Sequence, residues 1–187
     1  GRHHYLIARH LSQLFDHVVI TPSGLVSHGR TDKKSSPTSA EDRTIMVRAN
    51  FGDIPNVIFD FSDLETTEHF TPTVELQKRY QQLYPHADIF FAIGGDVVRG
   101  GRYGQSPIEQ TWVRGKEIWN NFPLVVISPR NYPVDPFDLP PHAHLVAMPP
   151  LTGRSSNIRY RIAHNASISE FLRPRVEAHI LTKNLYR

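Results

Sequence analysis

The stretch "DIFFAIGGD", residues 88–96, decides the fold. It is an apolar run that stops abruptly at two glycines and an acid, the pattern of a strand covered on both faces rather than of a surface hairpin. Such strands belong to parallel sheets, and in an open parallel sheet a ligand sits just beyond the carboxyl ends of the strands. Gly94 and Gly95 let the backbone approach a bound molecule closely, and Asp96 can accept hydrogen bonds from a sugar or a base. The same three residues also make an ordinary strand-to-helix turn with an acidic cap.

Outward from this strand, helices and strands alternate. Upstream lies "PTVELQKRYQQLY" (72–84), a helix with Thr71 as N-cap and Pro72 at its first position. Before it come the strand "NVIFDF" (56–61), a helix over 41–51 opened by a capping box of Ser39 and Asp42, and the strand "HVVIT" (17–21). Ile7, Leu11, Leu14 and Phe15 form the buried stripe of an opening helix that runs to about Phe15. Downstream, a helix over 108–121 leads to the strands "LVVIS" (124–128) and "HLVAM" (144–148), and helices over 156–165 and 174–184 close the chain. This order predicts an α/β, Rossmann-like doubly wound parallel sheet with helices on both faces, "DIFFAI" at its centre, and one domain over residues 1–187. No strand precedes the first helix and the sequence starts without methionine, so a first strand and its turn are expected upstream of Gly1.

Composition narrows the function classes. No apolar run approaches the ~18 residues of a membrane span. Cysteine is absent, which excludes thiolate nucleophiles, disulfides and Cys-based zinc sites; no metal-ligand set is predicted, and the default compartment is the cytoplasm. A net charge of +3, with eleven histidines able to add to it near an anion, suits phosphorylated ligands. The charge is too evenly spread for a nucleic-acid surface. Neither a nucleic acid nor a membrane is therefore expected as a partner, and a homo-oligomer is allowed.

Chemistry is expected at the strand ends. In "TGRSSNIR" (152–159), Ser155 and Ser156 open a helix whose free N–H groups and positive dipole end attract anions, with Arg159 one turn later. Ser155 as a plain N-cap and Arg159 as a solvated charge is the alternative. His3 and His4 stand at the start of the first helix, where an imidazolium would stabilise charge developing on a phosphoryl group. A solvated turn is the competing reading there. Trp112 reads as a helical residue that either stacks on a planar ring or belongs to the core. The polar stretch 22–39, with Ser23, His28, Lys33 and Lys34, is long enough to be either mobile or functional.

Taken together, these segments resemble the nicotinamide and nicotinate mononucleotide adenylyltransferases of the nucleotidyltransferase superfamily, from the first residue to the last. The sequence from Gly153 onward, "GRSSNIRYRIAHNASISEFLRPRVEAHILTKNLYR", is similar to the family's ISSTxIR motif and its closing helix. "AEDRTIMVRAN", "FDFSDLE", "FTPT", "FAIGGD", "TWVRG" and "VVISPRNY" match further landmarks in the right order. "GRHH" occupies the HxGH half of the family's GxFxPxHxGH motif, with His4 at the second histidine, Gly1 at the first and His3 in place of the motif glycine. "GRSS" departs from ISST by Arg154 and Ser156, and hydroxyl donors remain.

The resemblance implies adenylyl transfer from ATP to nicotinate or nicotinamide mononucleotide, with magnesium carried on the ATP phosphates. His4 and Arg159 would be the catalytic residues, and His3, His4, Gly94, Gly95, Asp96, Ser155, Ser156 and Arg159 would bind ATP. Ser23, Lys34, Thr71 and Trp112 would bind the mononucleotide. A nucleotide-binding module without catalysis, or a transferase for another phosphorylated acceptor, are the competing readings.

Overall fold

In the computed structural model, which describes residues 1–24, 38–64 and 71–187, the most deeply covered strand is β4, Leu124–Pro129. Leu124, Val125, Val126 and Ile127 are each at most 4% exposed, so both faces of β4 are closed to water. It pairs in parallel with β3 (Phe91–Gly94) on one side and β5 (Ala143–Met148) on the other. The central position expected for "DIFFAI" therefore belongs to "LVVIS". β3 begins at Phe91, alternates between half-buried and exposed residues, and pairs among the described residues with β4 alone.

These strands lie in one of two compact units, Thr71–Leu151. Its first helix, α3 (Thr73–Leu83), starts later than the sequence suggests: Pro72 is the N-cap in extended conformation, and Thr71 lies outside the helix. The long helix expected over 108–121 is two helices, α4 (Pro107–Thr111) and α5 (Gly115–Asn121). Trp112 leaves α4 in extended conformation and Arg114 is left-handed, with φ of 55°. A side chain at Gly115 would put its Cβ 1.9 Å from the Ile108 carbonyl oxygen, so the break depends on glycine there. The core joins Val98, Ile108 and Ile118 to Leu124 and Val126, all fully buried.

An ion cluster staples the loops of this unit. Asp138 accepts hydrogen bonds from the Gly100 N–H at 3.1 Å and from Arg102 Nε at 3.0 Å, and Arg102 also pairs with Asp135. The guanidinium beside it, with the Gly100 N–H, holds the Asp138 carboxyl below the usual carboxylate range.

The other unit comprises Gly1–Phe70 and Thr152–Arg187. β1 (Val18–Ile20) and β2 (Val57–Phe59) pair in parallel, Val18 opposite Val57. Helix α1 spans Arg2–Leu11, and the chain beyond it turns rather than continuing to Phe15. Leu14, placed by its spacing on the buried stripe, is 55% exposed for that reason. The capping box of α2 (Ala40–Phe51) forms as read: the Asp42 N–H donates to Ser39 Oγ at 3.0 Å, and Ser39 Oγ donates to the Asp42 carboxylate at 2.7 Å. Helices α6 (Ser155–Ala163) and α7 (Pro174–Thr182) share a core of Ile158, Ile162, Leu172, Val176 and Ile180.

Arg173 binds α1, α2 and the start of α7 together. It donates to the Asn50 carbonyl at 2.7 Å and to both Asp53 carboxylate oxygens at 2.6 and 3.0 Å, while stacking 4.2 Å from the Tyr5 ring centre. All strand pairs formed by described residues are parallel, so the class is α/β as predicted. Among the described residues no helix is long and apolar enough to cross a membrane.

Ile118 tests the core of the Thr71–Leu151 unit. Truncating a fully buried isoleucine removes its transfer energy and leaves a cavity. Ile118→Ala should cost about 2–5 kcal/mol, measured by urea denaturation.

Candidate nucleotide site

The first turn of α1 carries both opening histidines. Their rings lie 3.9 Å apart, tilted by 46°. Burial first, and nearby positive charge second, lower the pKa of His3 to about 4. His4 retains solvent contact, yet the atoms crowding its ring, then the neighbouring His3, lower its pKa to about 3. Both imidazoles are thus neutral at pH 7 when no anion is beside them. An anion brought beside them favours the protonated form. His3 Nδ1 is buried with no hydrogen-bond partner.

Helix α6 begins with Arg154 as N-cap, so Ser155 and Ser156 are its first two helical residues and not its cap. Arg154 makes no side-chain cap hydrogen bond, so among the described residues N–H groups of the first turn lack a capping side chain. Ser155 and Ser156 are exposed and Arg159 is half-buried. His4, Ser155 and Arg159 line one cavity of about 230 Å³, together with Gly1, Arg43 and Asn50 at its polar wall. Apolar side chains of α2, α6 and α7, with Pro22, Leu172 and Tyr186, form the rest of that lining, and no aspartate or glutamate among the described residues contributes to it. The arrangement is cationic and dipolar, and it can hold a phosphate chain.

A second group of expected residues sits in the Thr71–Leu151 unit. Gly94 ends β3 and Gly95 opens a short 3₁₀ turn. A Cβ at Gly95 would lie 2.1 Å from Val134 Cγ2, and one at Gly94 would lie 2.5 Å from Asp96 Oδ1. Close approach, not an unusual backbone angle, therefore favours glycine at 95, whereas at 94 the movable Asp96 carboxylate could give way. Asp96 is exposed, with its carboxylate folded over Gly94. Trp112 is half-buried and packs against the core, so part of it remains available to a ring. Thr71 is half-buried just before α3. Ser23 is exposed beyond β1, where its carbonyl accepts a hydrogen bond from Arg43. His28, Lys33 and Lys34 lie outside the described residues.

A family model described as cytidylyltransferase-like matches residues 2–161. A probable nicotinate-nucleotide adenylyltransferase of Desulfitobacterium hafniense strain Y51 is 30% identical over 187 residues, covering 97% of this chain and 86% of the relative. The counterpart from strain DSM 10664 / DCB-2 is 31% identical over 189 residues, with the same coverage. The chain belongs to the nicotinate-nucleotide adenylyltransferase family. The nicotinic acid mononucleotide adenylyltransferase of Plasmodium falciparum, solved in complex with NaAD, superposes with a TM-score of 0.73 at 19% identity, covering 98% of this chain and 90% of that one. That likeness bears on the fold: this adenylyltransferase-family chain has the same α/β arrangement over nearly its whole length.

Two polar residues of the cavity escaped the sequence reading. Arg43 was visible only as part of the "AEDRTIMVRAN" helix, and Asn50 as an ordinary residue near its end. Asn50 is 4% exposed and its Oδ1 has no partner. A polar residue on the inward side of an otherwise apolar helix face was the available signal.

The histidines give the site a pH signature. A histidine whose folded pKa is depressed adds stability above its unfolded value of about 6.5, and that stability is lost as pH falls toward the folded value. The melting temperature of the ligand-free protein should therefore drop from pH 6.5 to 4. The double variant His3→Gln, His4→Gln should show a shallower drop, measured by circular dichroism melts across that window.

Proposed function

We propose that the protein transfers the adenylyl group of ATP to nicotinate or nicotinamide mononucleotide, forming deamido-NAD or NAD and pyrophosphate. The reading takes residues 1–187 as one nucleotidyltransferase domain, supported by a family match that runs through both units, and sets it in the cytoplasm. The observation that carries it is the grouping of His4, Ser155 and Arg159 on one cavity that no acid among the described residues lines. Polyphosphate is the ligand that such a wall stabilises best.

In this reaction a 5′-phosphate oxygen of the mononucleotide forms a bond to the α-phosphorus of ATP in line with the bond to the β-phosphate oxygen, which breaks. Pyrophosphate leaves with that oxygen, and no covalent enzyme intermediate is needed. Catalysis is then positioning and electrostatic stabilisation. His4 donates from a ring nitrogen to the α-phosphate, and His3 packs behind it. Ser155, Ser156 and Arg159 hold the β- and γ-phosphates at the start of α6. Gly94 and Gly95 admit adenosine close to the backbone and Asp96 accepts its hydrogen bonds. Thr71 and Trp112 take the pyridine nucleotide, and Ser23 and Lys34 its phosphate. Magnesium would shield the phosphate charge of ATP and be carried by the nucleotide; a cavity that no carboxylate among the described residues lines fits a metal that arrives that way.

Purified protein should release pyrophosphate from ATP only when a pyridine mononucleotide is present, and inactivity with both the acid and the amide form would refute the proposal. His4→Ala and Arg159→Ala should each lower turnover by about 10²–10³ while leaving the melting temperature at pH 8 within a few degrees of wild type. Steady-state assays beside thermal melts separate this from loss of fold.

A further inference from the structure

Arg43 lies in the first turn of α2, directly after the capping Asp42. Its guanidinium Nη2 donates to the carbonyl of Ser23, in the segment that leaves the carboxyl end of β1. The side chain is half-buried, and that burial holds its pKa below the usual arginine value. Among the described residues no carboxylate forms an ion pair with it. Asp42, its neighbour in sequence, instead accepts hydrogen bonds from Ser39 and contacts His179 at 2.9 Å. The titratable group that acts on Arg43 electrostatically is the Tyr186 phenol.

A half-buried guanidinium without a counter-charge is costly to keep. Here it also shares its cavity wall with His4 and Arg159, and no acid among the described residues lines that cavity. The two guanidiniums of Arg43 and Arg159 converging on one space are stabilised by an anion, which also favours protonation of His4. The start of α6 and Arg159 suffice for one phosphate chain, whereas Arg43 faces from α2 and is tied to the end of β1. A planar guanidinium with one N–H committed to a carbonyl retains further donors spaced to meet two oxygens of a phosphate.

We propose that Arg43 is a binding residue for the 5′-phosphate of the mononucleotide, fixing the Ser23 carbonyl with one N–H and meeting phosphate oxygens with the others. This rests on the adenylyltransferase reading for the identity of the ligand. Binding, unlike turnover, isolates the role of the phosphate. Calorimetric titration of wild type should show nicotinate mononucleotide binding tighter than nicotinate riboside, which lacks the phosphate. In Arg43→Gln that preference should shrink about tenfold or more, the loss of one charge-assisted hydrogen bond. Arg43→Lys, which keeps the charge but not the planar fork, should recover part of it. In steady-state assays the KM for the mononucleotide should rise in Arg43→Gln while the KM for ATP stays within about twofold.

An unchanged preference for the phosphorylated ligand in both variants would overturn the proposal, as would equal weakening of riboside and mononucleotide. If Arg43→Gln does not fold, Arg43→Lys decides by the same comparison. Failure of wild type to turn over either mononucleotide refutes the adenylyltransferase reading, and the titration still decides whether Arg43 binds phosphate.

Discussion

Parallel pairing is the constraint from which the rest follows. Parallel strands cannot be joined by a tight turn, so the chain must cross back through a helix before the next strand begins. Each strand's carboxyl end therefore opens into a loop that leads to a helix. The short strands here, three to six residues each, leave much of the chain in those connections. Ser23 follows β1 and Gly95–Val97 follow β3 for this reason. Scaffold and site are consequences of one hydrogen-bonding pattern.

Charge is distributed differently in the two units. The Thr71–Leu151 unit balances its loop cation closely, with Arg102 held by Asp135 and Asp138. In the other unit Arg173 is matched by Asp53 just beyond α2, but among the described residues the cavity beside α6 has cations and no acid. The neutral histidines reduce the cost of that imbalance. Paired charges thus fix the frame, and the cavity cations are the ones the proposed function assigns to a ligand.

The sequence made the class, most elements and one half of the candidate site legible. Strong periodicity placed the helices, and the Ser39–Asp42 box marked a start that the structure reproduces. The differences arise where tertiary contacts override local signals. Pro72 rather than Thr71 stands at the capping position because the helix starts at Thr73, one residue later than the spacing suggests, and it makes no side-chain cap. The break at Trp112 could not be read from the composition of "QTWVRG", since it depends on how closely Gly115 meets the Ile108 carbonyl. "FFAI" is as apolar as "LVVI", and only pairing on both sides distinguishes the central strand. Arg43 was hidden because its significance lies in a missing counter-charge, a property of the folded surroundings and not of the residue type.

The uncapped start of α6 links occupancy to order. A side-chain cap is worth about 1 kcal/mol to a helix, and α6 lacks one. On the proposed function, a phosphate chain seated on those N–H groups would serve as the cap and complete the hydrogen bonding of the helix. Local opening of the segment from Gly153 into α6 would then be suppressed by the contacts proposed to hold the nucleotide, and nucleotide concentration would set how often this part of the chain frays.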